Sequence, residues 1–333
     1  MQKKILITGA SGFIGSFLVE EALNRNYQTF AGIRSSSSKQ FLNQPSIKFI
    51  DLDYTSNIAL DTLLQKYQNE VGKFDYIIHN AGLTKAKKNE DYFSVNYDNT
   101  KRFVEALLRN NIVPEKFVYI SSLASYGPSL NLKPISPDQI QQPLTAYGRS
   151  KLKAEEYLYT IKDFPFVIIN PTAVYGPREK DAFLLMQTIA RGLEVYIGPK
   201  NQMLSWVHVY DLVNAIFIAL ESNVVQQNIL VSDNKIYTPQ DFNNIVKSVL
   251  NKKTLSFTIP KFVLKSVTNA FEFAGKLKGQ VPILNKERLK EFEAFNWSVD
   301  SSALLSLGYE PKYFLENGLP QTLEWYKTNG WLK

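Results

Sequence analysis

The stretch Ile5-Leu6-Ile7-Thr8-Gly9-Ala10-Ser11-Gly12-Phe13-Ile14-Gly15 decides how the rest of the chain is read. A short apolar run stops at a glycine. Apolar residues then recur at Ile14, Phe17, Leu18 and Ala22, three and four positions apart. The pattern is a buried strand, a tight loop and an amphipathic helix. Glycines at 9, 12 and 15 suit a loop that must turn sharply, let its backbone approach a ligand and pack against the strand. The unpaired N–H groups that open the helix offer a place for an anion. In this setting the trio predicts a dinucleotide held by its pyrophosphate along Gly9, Ser11, Gly12, Phe13, Ile14 and Gly15.

Outward from that loop the strand–helix alternation repeats. Apolar runs at Thr29–Ile33, Ile47–Ile50, Tyr76–Ile78, Phe117–Ile120 and Phe166–Ile169 read as strands buried on both faces, with helical patterns between them. Such alternation predicts an α/β fold, a Rossmann-type doubly wound parallel sheet with helices on both faces. After residue 177 helical stretches dominate (Phe183–Arg191, Pro239–Leu250, Pro260–Lys278), broken by proline and glycine. A dinucleotide-binding domain is therefore expected over 1–177, and a smaller, mostly helical substrate domain over 178–204 and 233–333. Residues 205–232, where Trp206–Val209 runs into a helix from Asp211, are expected to return to the main sheet.

Composition removes whole classes of chemistry. The 333 residues contain no cysteine and only two histidines, His79 and His208. Disulfides, thiolate metal sites, a cysteine nucleophile and a His-rich cluster are excluded, and no metal is expected. No apolar run approaches the ~20 residues of a membrane span. Nothing at the N-terminus resembles a signal peptide, so a soluble cytoplasmic protein is expected. The net charge of +7 suits an anionic ligand, but the basic residues are scattered and nucleic-acid binding is not expected.

Tyr147-Gly148-Arg149-Ser150-Lys151 carries a second pattern. Residues four apart share one helix face, which sets an ammonium beside a phenol. A free tyrosine, with a pKa near ~10, is a poor base at neutral pH. A neighbouring positive charge should bring the phenol down toward the working range. Phe117–Ile120 then runs into Ser121-Ser122-Leu123-Ala124-Ser125, a strand that ends in hydroxyls.

The loop spacing G-x-x-G-x-x-G, with Thr8 before it and Phe13-Ile14 inside it, resembles the short-chain dehydrogenase/reductase superfamily, and its extended branch above all. Ala146 before Tyr147, Leu152-x-Ala154-Glu155 after Lys151, and the ending from Trp297 to Tyr326 are similar to that branch as well. The resemblance implies Ser122, five residues before Gly127, as the residue that steadies the substrate oxygen. It implies Tyr147 as the proton-transfer group and Lys151 as its partner, also holding the nicotinamide ribose. Asp51-Leu52, Ala81 and the Pro171…Val174 segment would line the cofactor. Asn170 stands where the family often has arginine, and its role is open, as are those of Ser121 and Ser125.

No carboxylate follows the second strand to take a ribose 2′-hydroxyl. Arg34 and Ser35 are there instead, with Ser36 and Lys39 near, a set that suits a 2′-phosphate. NADP is therefore the expected cofactor, with NAD as the alternative. His79 reads as a packed structural residue.

Within the branch, dehydratases place Asp-Glu after the catalytic residue, where this chain has Leu123-Ala124. Many sugar-nucleotide epimerases carry an arginine where it has Leu204, although Arg178, Arg191 or Lys200 could substitute. Together with Arg34 and the Pro260–Lys278 stretch, this resembles the dihydroflavonol-reductase and 3β-hydroxysteroid-dehydrogenase group. The expectation is an oxidoreductase acting on a ketone or secondary alcohol of a bulky, largely apolar small molecule. A nucleotide-sugar epimerase with recycled NAD is the alternative, and a dinucleotide-sensing regulator without turnover the third reading. Pro260–Lys278 is read as a core or lid helix rather than a membrane-surface helix. A homodimer is expected by analogy alone.

Overall fold

The computed structural model describes residues 2–260, 263, 264, 268 and 286–332. The Pro260–Lys278 stretch thus falls, apart from Pro260 and three single positions, outside the described residues.

Seven parallel strands form the central sheet. They are β1 (Lys4–Thr8), β2 (Gln28–Ile33), β3 (Lys48–Asp51), β4 (Tyr76–His79), β5 (Lys116–Ile120), β6 (Phe166–Pro171) and β11 (Asn228–Val231), in the spatial order β11-β6-β5-β4-β1-β2-β3. Successive residues of each strand enter opposite layers. Ile5, Ile7, Ile78, Val118, Ile120, Val167 and Ile169 join one core, while Leu6, Ile77, Phe117, Tyr119, Phe166 and Ile168 join the other. Both faces are covered, which is why these runs read as continuously apolar. The first core is closed by α1 (Phe13–Asn24) and α7 (Val209–Glu221), the second by α2 (Asn57–Val71), α4 (Asn99–Arg109) and α5 (Ala146–Tyr159). A short helix, α3 (Asn89–Phe93), precedes α4. Chain order reverses between β1 and β4. In doubly wound sheets that reversal opens a crevice beyond the carboxyl ends of the strands.

A second, helical layer packs around Tyr175, Met186, Phe242, Leu319, Leu323 and Tyr326. It uses α6 (Asp181–Ala190), α8 (Pro239–Leu250) and the C-terminal helix Leu315–Thr328. Thr238 and Asp241 form a capping box at the start of α8, and Pro239 occupies the first turn. Among the described residues, three parallel two-stranded pairs lie outside the main sheet. They join β7 (Ala173–Tyr175) to β10 (Trp206–His208), β8 (Leu193–Tyr196) to β12 (Leu255–Thr258), and β9 (Met203–Leu204) to β13 (Asn296–Trp297). The strand of the 205–232 segment therefore pairs with β7, and it is α7 and β11 that pack on or join the main sheet. Asp211 of α7 ties the layers together by accepting from the backbone N–H of Lys312 (3.0 Å) and Tyr313 (2.7 Å). Among the described residues, no helix is long and apolar enough to cross a membrane and no acidic or histidine cluster could hold a metal.

Candidate active site

The segments read as lining the cofactor lie at the carboxyl edge of the sheet. The glycine loop follows β1, Arg34-Ser35 follow β2, and Asp51-Leu52 end β3 or follow it. Ala81 comes after β4, Ser122 after β5, and Pro171–Val174 closes β6 and enters β7. The loop is tight. A Cβ on Gly15 would lie 2.2 Å from the Gly9 carbonyl oxygen, and one on Gly9, whose φ is +64°, would lie 2.8 Å from Ala81. Only glycine allows these approaches. Gly12 caps α1 in extended conformation and is exposed, while Ser11, Phe13 and Ile14 are half-buried. The first-turn N–H groups of α1 lack intrahelical partners, so the cradle fits a pyrophosphate. Arg34 and Ser35 are exposed, and the Arg34 guanidinium makes no hydrogen bond or ion pair with the described residues. Leu52 is buried, and its N–H donates to the Ile33 carbonyl at 2.8 Å.

Ser122, Tyr147 and Lys151 meet at this edge. Thr145 caps α5 by accepting from the Gly148 N–H at 3.1 Å, so the helix begins one residue before Tyr147. Gly148 brings that first turn close to the Ser122–Ser125 turn: a Cβ there would lie 2.2 Å from the Ala124 carbonyl oxygen. The Ser122 hydroxyl stands close enough to the Tyr147 phenol to favour its ionised form. Lys151, 4% exposed, donates to the Ile120 carbonyl at 2.8 Å and lies 4.8 Å from the centroid of Tyr119. Its Nζ would be 3.3 Å from a Cβ on Gly82, next to Ala81 and the glycine loop.

The electrostatics correct one expectation. Tyr147 is pushed up to about 12, chiefly by loss of water; the Ser122 hydroxyl and the Arg288 charge oppose the rise, and Glu291 and Tyr92 add to it. The largest influences on the phenol do not include Lys151, whose ammonium donates to the Ile120 carbonyl. Desolvation brings Lys151 itself down to about 8, with Glu155 holding it up. The fold alone therefore keeps Tyr147 as a neutral proton donor instead of an acidified phenol.

The pattern of the NAD dependent epimerase/dehydratase family matches residues 5–232. The chain belongs to that family. Over 98% of its length it is 27% identical to the N-acetyl-alpha-D-glucosaminyl-diphospho-ditrans,octacis-undecaprenol 4-epimerase of Escherichia coli O157:H7, covering 96% of that protein. Over 98% it is 25% identical to the ceramide reductase of Caulobacter vibrioides, again covering 96%. The crystal structure of UDP-glucuronic acid 4-epimerase from Bacillus cereus, in complex with UDP-glucuronic acid and NAD, superimposes with a TM-score of 0.75 at 24% identity, covering 98% of this chain and 99% of that one. The seven-stranded architecture is thus that of the family. The relatives named here include both an epimerase and a reductase, so the likeness leaves the reaction type open between them.

Several residues of this family member's site had no sequence signal. Asn96, buried in a π-helical turn (Ser94–Asp98), donates to Ser150 Oγ at 3.0 Å, and its Oδ1 accepts from the Leu83 N–H at 2.7 Å. It pins the Gly82 loop to α5. Helix α9 (Lys286–Glu293) lies against the start of α5: Glu287 accepts from the Ala146 N–H at 2.5 Å and Glu291 from Thr145 Oγ1 at 3.1 Å. Those partners are about 140 residues apart in the chain, beyond any local pattern. His79 is buried between Thr8 (2.9 Å) and Thr100 (3.0 Å), stacked on Phe103, and lowered to about 3, so it is neutral packing. Arg178, one of the candidate diphosphate clamps, is engaged elsewhere. It donates to Glu20 at 2.6 Å and Ser16 at 2.9 Å and lies over Phe17 and Phe41.

Proposed function

We propose that this protein reduces a ketone to a secondary alcohol, or runs the reverse, on a bulky, largely apolar molecule, with NADP(H) preferred over NAD(H). Ser122, Tyr147 and Lys151 are the catalytic residues in this reading. The observation that carries it is a neutral phenol, beside a serine hydroxyl, at the sheet edge that also holds the glycine cradle and a buried lysine. Residues 1–177 with 205–232 form the cofactor side, and the helical remainder shapes the substrate side.

The bound dinucleotide supplies or accepts the hydride at its nicotinamide. Tyr147 gives its proton to the oxygen as charge builds there, and a phenol near 12 is protonated at working pH. Ser122 donates a hydrogen bond to the same oxygen. Lys151 holds the ribose next to the Gly82 loop. Arg34, exposed and with no guanidinium partner among the described residues, takes the 2′-phosphate. Asp51, Leu52, Ala81, Pro171 and Val174 line the dinucleotide between these points. The apolar character of the substrate is supported by the two curated relatives named above, one for a polyprenol-linked sugar and one for ceramide. Arg178 being tied to Glu20 weighs against a diphosphate clamp.

The second reading, an epimerase that recycles its cofactor, is favoured by the 27% identity to one. Cofactor absorbance separates the two. With long-chain ketone substrates a reductase consumes NADPH mole for mole and binds it more tightly than NADH, whereas an epimerase leaves the absorbance unchanged. In Tyr147→Phe, turnover should fall by about a thousandfold while NADPH affinity stays within about twofold. A fully active variant sinks the assignment.

A further inference from the structure

Behind the catalytic edge stands a buried carboxylate that the reaction outlined above does not use. Glu155 lies one turn beyond Lys151 on α5 and is 1% exposed. Its Oε1 accepts from Ser121 Oγ and from Asn170 Nδ2 at 2.8 Å. Its Oε2 accepts from Gln141 Nε2 at 2.7 Å and from Asn228 Nδ2 at 2.9 Å. The donors come from the residue after β5, from β6, from the loop before α5 and from β11, and none is charged. Asn170 extends the lattice forward: its Nδ2 also reaches Ser125 Oγ at 3.1 Å and the Ser122 carbonyl at 3.3 Å.

A buried carboxylate is normally paired with a cation. Here neutral donors satisfy its oxygens, and its charge is left to act on Lys151, the ammonium on its own helix. The other titratable groups around that ammonium do not offset it. His79, from β4, is neutral, and Tyr119, from β5, is raised well above its ordinary value and stays uncharged, as does Tyr147 on the same helix.

We propose that Glu155 is a positioning residue with two effects: through Ser121 and Asn170 it holds the strand end that carries Ser122, and through its charge it keeps the Lys151 amine protonated. The first effect rests on the catalytic reading given above; the second can be measured without turnover. It also gives Asn170 a task, the hinge between carboxylate and catalytic turn.

The test uses the cofactor-free protein labelled with 13C at lysine Cε, the Lys151 resonance being assigned with Lys151→Arg. In Glu155→Gln the Lys151 titration midpoint should move down by about one pH unit, a tenfold change in the protonated-to-neutral ratio. Gln141 is only half-buried, so Gln141→Lys sets an ammonium against Glu155 without entering the core, and should move the midpoint the same way. It serves as the test should Glu155→Gln fail to fold. Glu155→Asp keeps the charge but shortens the reach: the midpoint should stay, while kcat falls about tenfold with little change in the KM for the cofactor. An unmoved midpoint in Glu155→Gln, or in Gln141→Lys if only that folds, overturns the charge effect. Full kcat in Glu155→Asp overturns the anchoring. An active Tyr147→Phe enzyme would remove the catalytic reading, whereas the Lys151 titration would still decide the charge effect by itself.

Discussion

At Gly15 and Gly148 of the sheet edge, backbone meets backbone; in the core of the helical layer, ring meets ring. A Cβ on Gly15 or on Gly148 would lie 2.2 Å from a main-chain carbonyl oxygen. In the helical layer the close approaches are rings: Phe183 to Tyr326 at 4.9 Å, Phe183 to Trp331 at 5.5 Å, Tyr326 to Trp331 at 5.5 Å. There a Cβ on Gly318 would meet a side-chain hydroxyl, that of Tyr175. Main-chain contacts have no rotamers with which to adapt, so the edge holds one geometry. Side-chain packing fixes volume and tolerates repacking. In the proposed reading, the loop that must place a ligand to within fractions of an ångström is the one with main-chain contacts at its glycines.

Mutations should separate the two regions. The largest effect on stability is expected in the helical layer. Leu323, fully buried there, should cost roughly 2–5 kcal/mol as Leu323→Ala in urea unfolding. The NADPH affinity of the folded protein should be unchanged; a parallel fall would show that the regions are not separable. Gly15→Ala should do the reverse. Its stability loss should be about 1–3 kcal/mol, while calorimetric NADPH affinity drops on the order of a hundredfold, or about 2.7 kcal/mol. Retained affinity would mean that the loop can give way.

The smallest effect is a pH signature of the edge. Lys151 is lowered to about 8 from 10.5, so the folded protein releases that proton before the unfolded chain does. Between those values the unfolded state binds more protons, and stability rises with pH. The gain should be about 1 kcal/mol on going from about pH 8 to about pH 9. Urea midpoints of the protein and of Lys151→Met measure it, since the variant should lack the rise. A decrease unique to the unchanged protein would contradict a desolvated lysine.

Much of the sheet half could be read before any fold was known. Ile5, Ile7 and Leu6 announce a strand covered on both faces because alternation is a local property. Gly9, Gly12 and Gly15 announce the loop because their spacing follows from the turn. Tyr147 and Lys151 share a face because helix geometry says so. Helix α8 spans the residues read from its periodicity, Pro239–Leu250, since its proline and capping box lie in the chain itself. The helix expected over Phe183–Arg191 begins two residues earlier, at Asp181, where Glu179 accepts from the N–H groups of Asp181 and Ala182.

What could not be read depends on segments far apart in the chain. The direction in which Tyr147 shifts follows from how much water the assembled site excludes, and one helical turn of sequence does not encode that. The pairing of β10 with β7, the reach of Glu287 and Glu291 to the start of α5, and the four donors around Glu155 join residues 14 to 146 positions apart. Local spacing specifies strands, helices, glycine turns and shared faces because those depend on neighbouring bonds. Charge, desolvation and hydrogen-bond partnership act through space, so they were set when the sheet edge and the helical layer closed on one another.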